Sequence, residues 1–389
     1  MKHLSDIAGG LRGQKMFQVL AEAKSLERGG RDIIHLEIGD PDIASPPHVV
    51  EAAYAALLAG HTHYVESSGL IEFRKRAAKM TLKSRGFEPE IDQILVTPGA
   101  NIQLYLAVAC TVNPGDEVVI TDPCFVSYRS IIELCGGRVV TVPLREENAF
   151  RIEPDDLRRA ITPRTRLIII NSPHNPTGSV MSQDDMKAIF EIAVAADVYL
   201  LSDEVYGRMV YEDEINRFAS PSVYDQCRER TLIVHSFSKS YAMTGWRIGA
   251  VTGPADLIHR MGLLLETVTS CTSPFVQYAA IEAMSASQDY VTEMISTYRR
   301  RRDLIVAGLN DITGISCLSP GGAFYAFPNI QGTGMSSEEF SAYLLNDGGV
   351  ATCPGNFFGD AGEGYVRFCF AKSEEQISKA LDRMRVLFR

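Results

Sequence analysis

The residue with the clearest chemical potential is a lysine that closely follows an apolar, strand-like run. Residues 232–234 lead into Ser236, Ser238 and Lys239, and Arg247 follows eight residues after the lysine. Poor hydration and nearby positive charge favour the neutral form of such an amine, which suits the formation of a Schiff base. The Ser236 hydroxyl and the Arg247 guanidinium are suited to binding a phosphate dianion. The segment therefore indicates amine chemistry beside an anion site.

Three more apolar runs end in polar residues. Residues 94–97 lead to a predicted helix start at Ala100 and Asn101, where backbone N–H groups can approach an anion, although taken alone this segment is better explained as a plain turn. Residues 167–170 lead to Asn175, whose amide either faces a ligand or closes an Asx turn. Residues 198–201 lead to Asp203, a carboxylate that is costly to bury without a cationic partner such as a protonated ring nitrogen.

Charge and motif spacing disfavour several other classes of site. The formal net charge is -10, and the longest basic run, 299–302, is expected to form a solvated helix face, so nucleic-acid binding is disfavoured. No metal site is predicted, because His61 and His63 lack an evident third ligand. Neither the dinucleotide motif G-x-G-x-x-G nor the P-loop motif occurs.

Cysteine usage and hydropathy indicate the compartment. The eight cysteines are scattered and form no C-x-x-C pair, which favours the reducing cytoplasm over a disulfide framework. The first ten residues lack the apolar core of a signal peptide. No apolar stretch reaches the roughly 18 residues of a membrane span. The sequence therefore predicts a cytoplasmic protein.

The elements that would position these residues alternate between buried strands and amphipathic helices. Such alternation predicts an α/β fold with a mostly parallel, doubly wound sheet. The strands of this sheet are predicted at 94–96, 118–120, 167–170, 198–201, 232–234 and 248–251. Shorter strands at 33–38, 323–328 and 364–370, with helices at 14–29, 287–310 and after Ser373, predict a smaller α+β part. We therefore expect a large domain at 51–286 and a small domain formed by 1–50 and 287–389.

The lysine segment resembles a known signature. The sequence S-F-S-K-S-Y-A-M-T-G-W-R-I-G at 236–249 is similar to the lysine signature of class I/II aminotransferases, which use pyridoxal 5'-phosphate and share the aspartate-aminotransferase fold (PLP fold type I). Eight more blocks resemble the family in the same order, at 36–42, 64–70, 97–101, 122–128, 171–178, 202–206, 354–359 and 365–371. The resemblance spans nearly the whole chain.

The resemblance implies roles for the residues around the cofactor. Lys239 would be the Schiff-base lysine and later the proton carrier, and Asp203 would pair with the pyridine N–H. Asn175 and Tyr206 would hydrogen-bond the phenolic oxygen, and Phe125 would stack on the ring. The phosphate would be held by Ala100, Asn101, Ser236, Ser238 and Arg247.

Further roles follow for the substrate and for a second subunit. Gly39, Asn175 and Arg367 would bind the substrate, with Arg367 forming a bidentate pair with the α-carboxylate. Tyr64 would reach the phosphate in a neighbouring subunit, which implies a homodimer with shared sites. Phe125 departs from the family, which commonly has Tyr or Trp there, so a polar contact is missing.

The sequence thus predicts an aminotransferase that moves an amino group between an L-amino acid and a 2-oxo acid by a ping-pong mechanism. A lyase, or another enzyme of the same fold that carries out elimination or decarboxylation, is the alternative. A serine hydrolase that uses Ser236-x-x-Lys239 is a distant one, because the partner motifs S-D-N and K-T-G are absent. Asn101 stands where a related subgroup has a lysine for a distal carboxylate, so uncharged amino donors are expected.

Overall fold

The computed structural model describes residues 3–5, 8–9, 13–211 and 217–389. From residue 13 onward, the α-helices are α1 Lys15–Arg28, α2 Pro47–Leu58, α3 Ile71–Arg85, α4 Ala100–Thr111, α5 Ser127–Leu134, α6 Pro154–Ala160, α7 Gln183–Ala196, α8 Phe237–Ser240, α9 Ala255–Thr269, α10 Pro274–Ser285, α11 Asp289–Asn310, α12 Ser337–Tyr343 and α13 Glu374–Leu387. Helix α7 begins with a capping box, in which the Ser182 hydroxyl accepts from the Asp185 N–H and the Asp185 carboxylate accepts from the Ser182 N–H. None of the helices in these described ranges is long and apolar enough to cross a membrane.

A seven-stranded sheet forms the centre of the fold, which confirms the predicted mostly parallel α/β sheet. Its strands are β2 Ile94–Thr97, β3 Glu117–Asp122, β4 Arg138–Pro143, β5 Thr165–Asn171, β6 Tyr199–Asp203, β7 Thr231–Ser236 and β8 Gly249–Thr252. Their spatial order is β2-β8-β7-β6-β5-β3-β4, and β8 is the one strand of this sheet that runs opposite to the other six. The sequence pattern missed β4, because several of its side chains face solvent and the continuous apolar pattern is lost.

Both faces of this sheet are buried. Leu167 and Ile169 of β5 contact the apolar cluster formed with α4 and α9, whereas Ile168 and Ile170 contact the cluster formed with α7. This alternation is what a parallel sheet covered on two sides requires. The parallel pairing of β5, β6 and β7 also brings their carboxyl ends to one edge of the sheet.

Two small sheets lie outside the central one. Strand β1 Ile34–His35 pairs in parallel with β10 Val350–Ala351. Strands β11 Cys353–Pro354, β12 Val366–Cys369 and β9 Tyr325–Ala326 form an antiparallel sheet in the order β11-β12-β9. These strands are shorter than the predicted runs. The division at 50/51 and 286/287 stays a prediction.

The prediction of a solvated helix face at 299–302 is wrong for half of the run. Arg301 and Arg302 are each 8% exposed. The Arg301 Nη1 donates to the Asp42 carboxylate at 2.8 Å, and the Arg302 guanidinium lies 4.9 Å from the Tyr211 ring centroid. Successive helical residues turn by about 100°, so four consecutive residues cannot all face solvent.

This burial predicts different effects for neighbouring arginines. We expect Arg301→Met to lower the free energy of unfolding by about 1–3 kcal/mol, because Asp42 loses a partly buried partner. Arg300 is exposed and pairs with an exposed Glu374, so Arg300→Met is expected to change it by no more than about 0.5 kcal/mol. Urea unfolding at one protein concentration measures both. Equal effects of the two substitutions would contradict the structural assignment.

Candidate active site

A cavity of about 350 Å³ lies at the carboxyl edge of the central sheet. Of the thirteen site residues predicted from the sequence, twelve line this cavity: Gly39, Ala100, Asn101, Phe125, Asn175, Asp203, Tyr206, Ser236, Ser238, Lys239, Arg247 and Arg367. They come from segments that are far apart in the chain. The cavity exists because the strand ends meet at one edge of the sheet.

Lys239 lies in the short helix α8, directly after β7. Its Nζ donates to the Gly39 carbonyl oxygen at 2.6 Å and lies 5.8 Å from the centroid of the Phe324 ring. Burial lowers the pKa of Lys239 to about 8, and the positive charges of Arg367 and Arg247 act in the same direction. Roughly a tenth of this amine is therefore neutral and nucleophilic at pH 7, far more than for an ordinary lysine.

Asp203 ends β6 and points into the same cavity. Its Oδ2 accepts a hydrogen bond from the Tyr128 hydroxyl at 2.6 Å, and its Oδ1 accepts one from the Val205 N–H at 3.2 Å. Burial raises the pKa of Asp203 to about 6. The charged carboxylate is therefore short of stabilisation, and a cation at this position would supply it.

Several groups that are suited to binding an anion line the same cavity as the lysine. Helix α4, which is twelve residues long, begins at Ala100, so its N-terminal N–H groups face this part of the cavity. The preceding Gly99 has φ +86°, and a Cβ there would overlap the Arg247 guanidinium, which lies against the glycine backbone. The Ser236 hydroxyl accepts from the Ser238 N–H at 3.1 Å. Backbone N–H groups, hydroxyls and a guanidinium thus converge, as phosphate binding requires.

Arg367 of β12 is only 1% exposed and lies on another side of the cavity. Its Nη1 donates to the Asn175 Oδ1 at 2.9 Å, and its Nη2 donates to the Glu37 carbonyl oxygen at 2.5 Å. Its guanidinium carbon lies 4.6 Å from the Tyr325 ring centroid and 4.7 Å from that of Phe358. Among the described residues it has no carboxylate partner, so a ligand carboxylate would offset its buried charge.

Several lining residues were missed from the sequence. Met16 and Phe17 of α1 and Tyr325 of β9 carry no local motif, and only the tertiary fold brings them to the cavity. Tyr128, which hydrogen-bonds Asp203, could have been found, since it lies three residues after Phe125 in the same sequence block.

The structure does not bring Tyr64 into the cavity of its own chain. Its side chain is 86% exposed. Large exposed apolar side chains lie nearby in sequence, including Tyr54 at 63% and Leu58 at 72% in α2. The role predicted for Tyr64 in a neighbouring subunit is compatible with this exposure and stays a prediction.

Comparison with known proteins assigns the family. The profile of the family "Aminotransferase class I and II" matches residues 31–384. The chain belongs to this family. It is 40% identical over 380 residues to an aspartate aminotransferase of Pyrococcus horikoshii, covering 96% of this chain and 94% of that one. It is 41% identical over 362 residues to aromatic-amino-acid aminotransferase 2 of Thermococcus litoralis, covering 92% of each.

Solved structures agree with this assignment. An aspartate aminotransferase of Thermus thermophilus, solved with maleate, matches 100% of both chains at 36% identity with a TM-score of 0.95. The predicted fold, family and enzyme class are thereby confirmed, and enzymes of this family use pyridoxal phosphate. The distant serine hydrolase alternative is wrong, and the Ser236 hydroxyl hydrogen-bonds Ser238 and not Lys239.

The environment of the lysine predicts how the aminotransferase reacts with amine reagents. After removal of bound carbonyl compounds, acylation of Lys239 should increase with pH and reach half its maximum near pH 8, because only the neutral amine reacts. Peptide mass spectrometry at each pH measures the labelling, with Lys239→Ala to identify the signal. A half-point near the ordinary lysine pKa of about 10.4 would contradict the effect of burial.

Proposed function

We propose that this aminotransferase moves an amino group between an L-amino acid and a 2-oxo acid by a ping-pong mechanism, with pyridoxal phosphate held in the cavity. One observation carries this proposal. The buried Lys239 amine shares one cavity with a buried carboxylate, an anion site and a buried arginine that lacks an ionic partner among the described residues. These are the four kinds of group that the cofactor and an amino acid together require.

The residues present fit the cofactor. Lys239 would hold its carbonyl carbon, and Asp203 would face the pyridine nitrogen, whose positive charge suits a buried carboxylate with a raised pKa. The N-terminus of α4, Ser236, Ser238 and Arg247 would hold the phosphate. When bound, pyridoxal phosphate supplies an electron sink for the charge left on the substrate Cα.

The phenolic oxygen and the ring face would be met by other residues of the cavity. Asn175 and Tyr206 would donate to the oxygen, and Phe125 would lie on the ring. The Asn175 N–H is held by the Asn171 Oδ1 at 2.8 Å, and the Asn171 Nδ2 donates to the Asp203 carbonyl oxygen at 2.8 Å. This chain of hydrogen bonds fixes Asn175 relative to Asp203.

The protein's own groups would then bind the substrate and move a proton. Arg367 would bind the α-carboxylate through two parallel N–H donors, while Asn175 and the Gly39 loop lie beside it. Lys239 Nζ would take the proton from the substrate Cα, and its lowered pKa provides the neutral amine that a base needs.

We infer that the substrate side chain is uncharged, and that aromatic or aliphatic amino donors are preferred. The cations that line the described part of the cavity are Lys239, Arg247 and Arg367, and each already has a proposed role. The remaining wall is formed largely by apolar side chains, including Met16, Phe17, Ile38 and Leu104. A second carboxylate in this space would lack a partner, which is costly.

The test is a panel of amino acids, with pyruvate or 2-oxoglutarate as the acceptor, in which both the 2-oxo acid and the new amino acid are measured. We expect both products in equal amounts and phenylalanine or methionine to be better donors than aspartate. Lys239→Ala should be inactive with every donor. Release of ammonia without a new amino acid would favour the lyase alternative. Aspartate reacting tenfold faster than the uncharged donors, about 1.4 kcal/mol in transition-state binding, would contradict the substrate class.

A single added cation sharpens this test. We expect Asn101→Lys to raise kcat/KM for aspartate relative to phenylalanine by about tenfold or more, because it adds a positive charge to the lining of the cavity. Asn101→Gln is the matched control and should leave the ratio unchanged.

We also propose a homodimer in which Tyr64 completes the site of the partner subunit. The exposure of Tyr64 and of its apolar neighbours supports this proposal, since such a surface is suited to burial against a second copy. Mixing inactive Lys239→Ala chains with inactive Tyr64→Ala chains should restore activity, because one heterodimer site then has both residues. Subunit exchange that is verified by mass but restores no activity would refute shared sites.

The cavity and the cysteines support two further proposals. Lys239 and Asp203 belong to 51–286, whereas Gly39 and Arg367 belong to the two terminal segments. A site between two domains that are divided at 50/51 and 286/287 fits this distribution.

All eight cysteines are free thiols, which is consistent with a cytoplasmic enzyme in a reducing compartment.

A further inference from the structure

Tyr325 lies where three functional groups of the cavity meet. It is 2% exposed, and its hydroxyl lies 2.7 Å from the Tyr206 hydroxyl. The Arg367 guanidinium carbon lies 4.6 Å from the centroid of its ring. A Cβ on Gly39 would overlap the Tyr325 hydroxyl, and the Gly39 carbonyl accepts from the Lys239 amine. One side chain thus lies against the groups proposed for the cofactor oxygen and the substrate carboxylate, and against the glycine whose carbonyl binds Lys239.

We propose that Tyr325 is a positioning residue, whose hydroxyl donates to Tyr206 and leaves the Tyr206 proton for an acceptor in the cavity, while its ring holds the Arg367 guanidinium in place. This inference rests on the proposed function, because that acceptor is the phenolic oxygen of the cofactor. It assigns a role to a residue outside the sequence blocks that resemble the family.

The number of protons on the two hydroxyls gives the direction of the hydrogen bond. A tyrosine hydroxyl has one proton to donate. If Tyr206 donated to Tyr325, it would have none left for the cavity. An anionic phenolic oxygen is a stronger acceptor than a neutral tyrosine, so it selects the arrangement in which Tyr325 donates to Tyr206. A bond received by Tyr206 also strengthens the bond that it donates.

Both hydroxyls keep their protons in this environment. Burial raises the pKa of Tyr206 and that of Tyr325. The other charged or titratable side chains that act on the pair are Arg367, Asp203, Asp40 and Cys369. The substitution Tyr325→Phe alters none of these charges, so a shift in a titration would report the lost hydroxyl.

The ring has a separate effect from the hydroxyl. The Arg367 guanidinium carbon lies 4.6 Å from the centroid of the Tyr325 ring and 4.7 Å from that of the Phe358 ring. Phenylalanine at position 325 keeps this contact, whereas leucine removes it. The two substitutions therefore separate the effect on the cofactor oxygen from the effect on the carboxylate.

The experiment is a pH titration of the absorbance of the bound cofactor in the holoenzyme. The negative charge of the phenolic oxygen stabilises the proton that is lost in this titration. A hydrogen bond from Tyr206 to that oxygen weakens the stabilisation and therefore lowers the titration midpoint. Weakening that bond in Tyr325→Phe should raise the titration midpoint by about half a pH unit or more. Tyr211→Phe is the matched control, because Tyr211 is equally buried but its hydroxyl donates to the Ala323 carbonyl, and it does not line the cavity.

Steady-state kinetics provide the second measurement. We expect KM for the amino donor to stay within about twofold in Tyr325→Phe and to rise by about fivefold or more in Tyr325→Leu, the range of a buried cation–π contact. An unchanged midpoint in Tyr325→Phe, or an equal shift in Tyr211→Phe, would overturn this inference alone. A wild-type protein that binds no absorbing cofactor would overturn the proposed function and this inference with it.

Discussion

The burial of charged groups at the carboxyl edge of the central sheet is the constraint on which the rest of the site depends. Each group responds according to its chemistry. Lys239 and Asp203 can change protonation, so loss of water lowers the pKa of the amine to about 8 and raises that of the carboxyl to about 6. Arg367 cannot lose its proton, so neutral acceptors and two aromatic rings must stabilise it. Because all three groups remain short of an ionic partner among the described residues, they are suited to a ligand that carries the complementary charges.

The next residue after Asp203 is Glu204, a buried acid whose charge is balanced by a partner within the protein. The Glu204 carboxylate is also fully buried, but it pairs with Arg85 and accepts hydrogen bonds from the hydroxyls of Ser202 and Ser220. Adjacent residues at a strand end point in opposite directions, so Asp203 faces the active-site cavity while Glu204 faces a helix. Of these two neighbouring buried acids, only Glu204 has a cationic partner within the described fold, which leaves Asp203 available to a ligand.

The sequence predicted the parts of the site that depend on a few consecutive residues. Asp203 and Lys239 follow apolar runs, and a parallel sheet brings such strand ends to one edge. The roles of Gly39, Tyr206 and Arg367 were instead implied by the resemblance to the family. Tyr325 was missed because its partner Tyr206 is 119 residues away in sequence, and no local pattern fixes that distance. The prediction that 299–302 form a solvated face was wrong for a different reason. Its composition indicates a surface, but the helical turn directs Arg301 towards Asp42, which lies 259 residues away in sequence.

Two glycines, Gly99 and Gly39, allow groups from distant segments to lie close together at the cavity. At Gly99 the positive φ favours glycine, and the absent side chain leaves the space that the Arg247 guanidinium occupies. At Gly39 the absent side chain leaves room for the Tyr325 hydroxyl, while the carbonyl of the same residue binds the Lys239 amine. A side chain at either position would push a cation or a hydroxyl away from the cavity. In a sequence, such glycines mainly indicate turns. Here they also determine how closely the helix α4 N-terminus, the lysine and the small antiparallel sheet can approach one another.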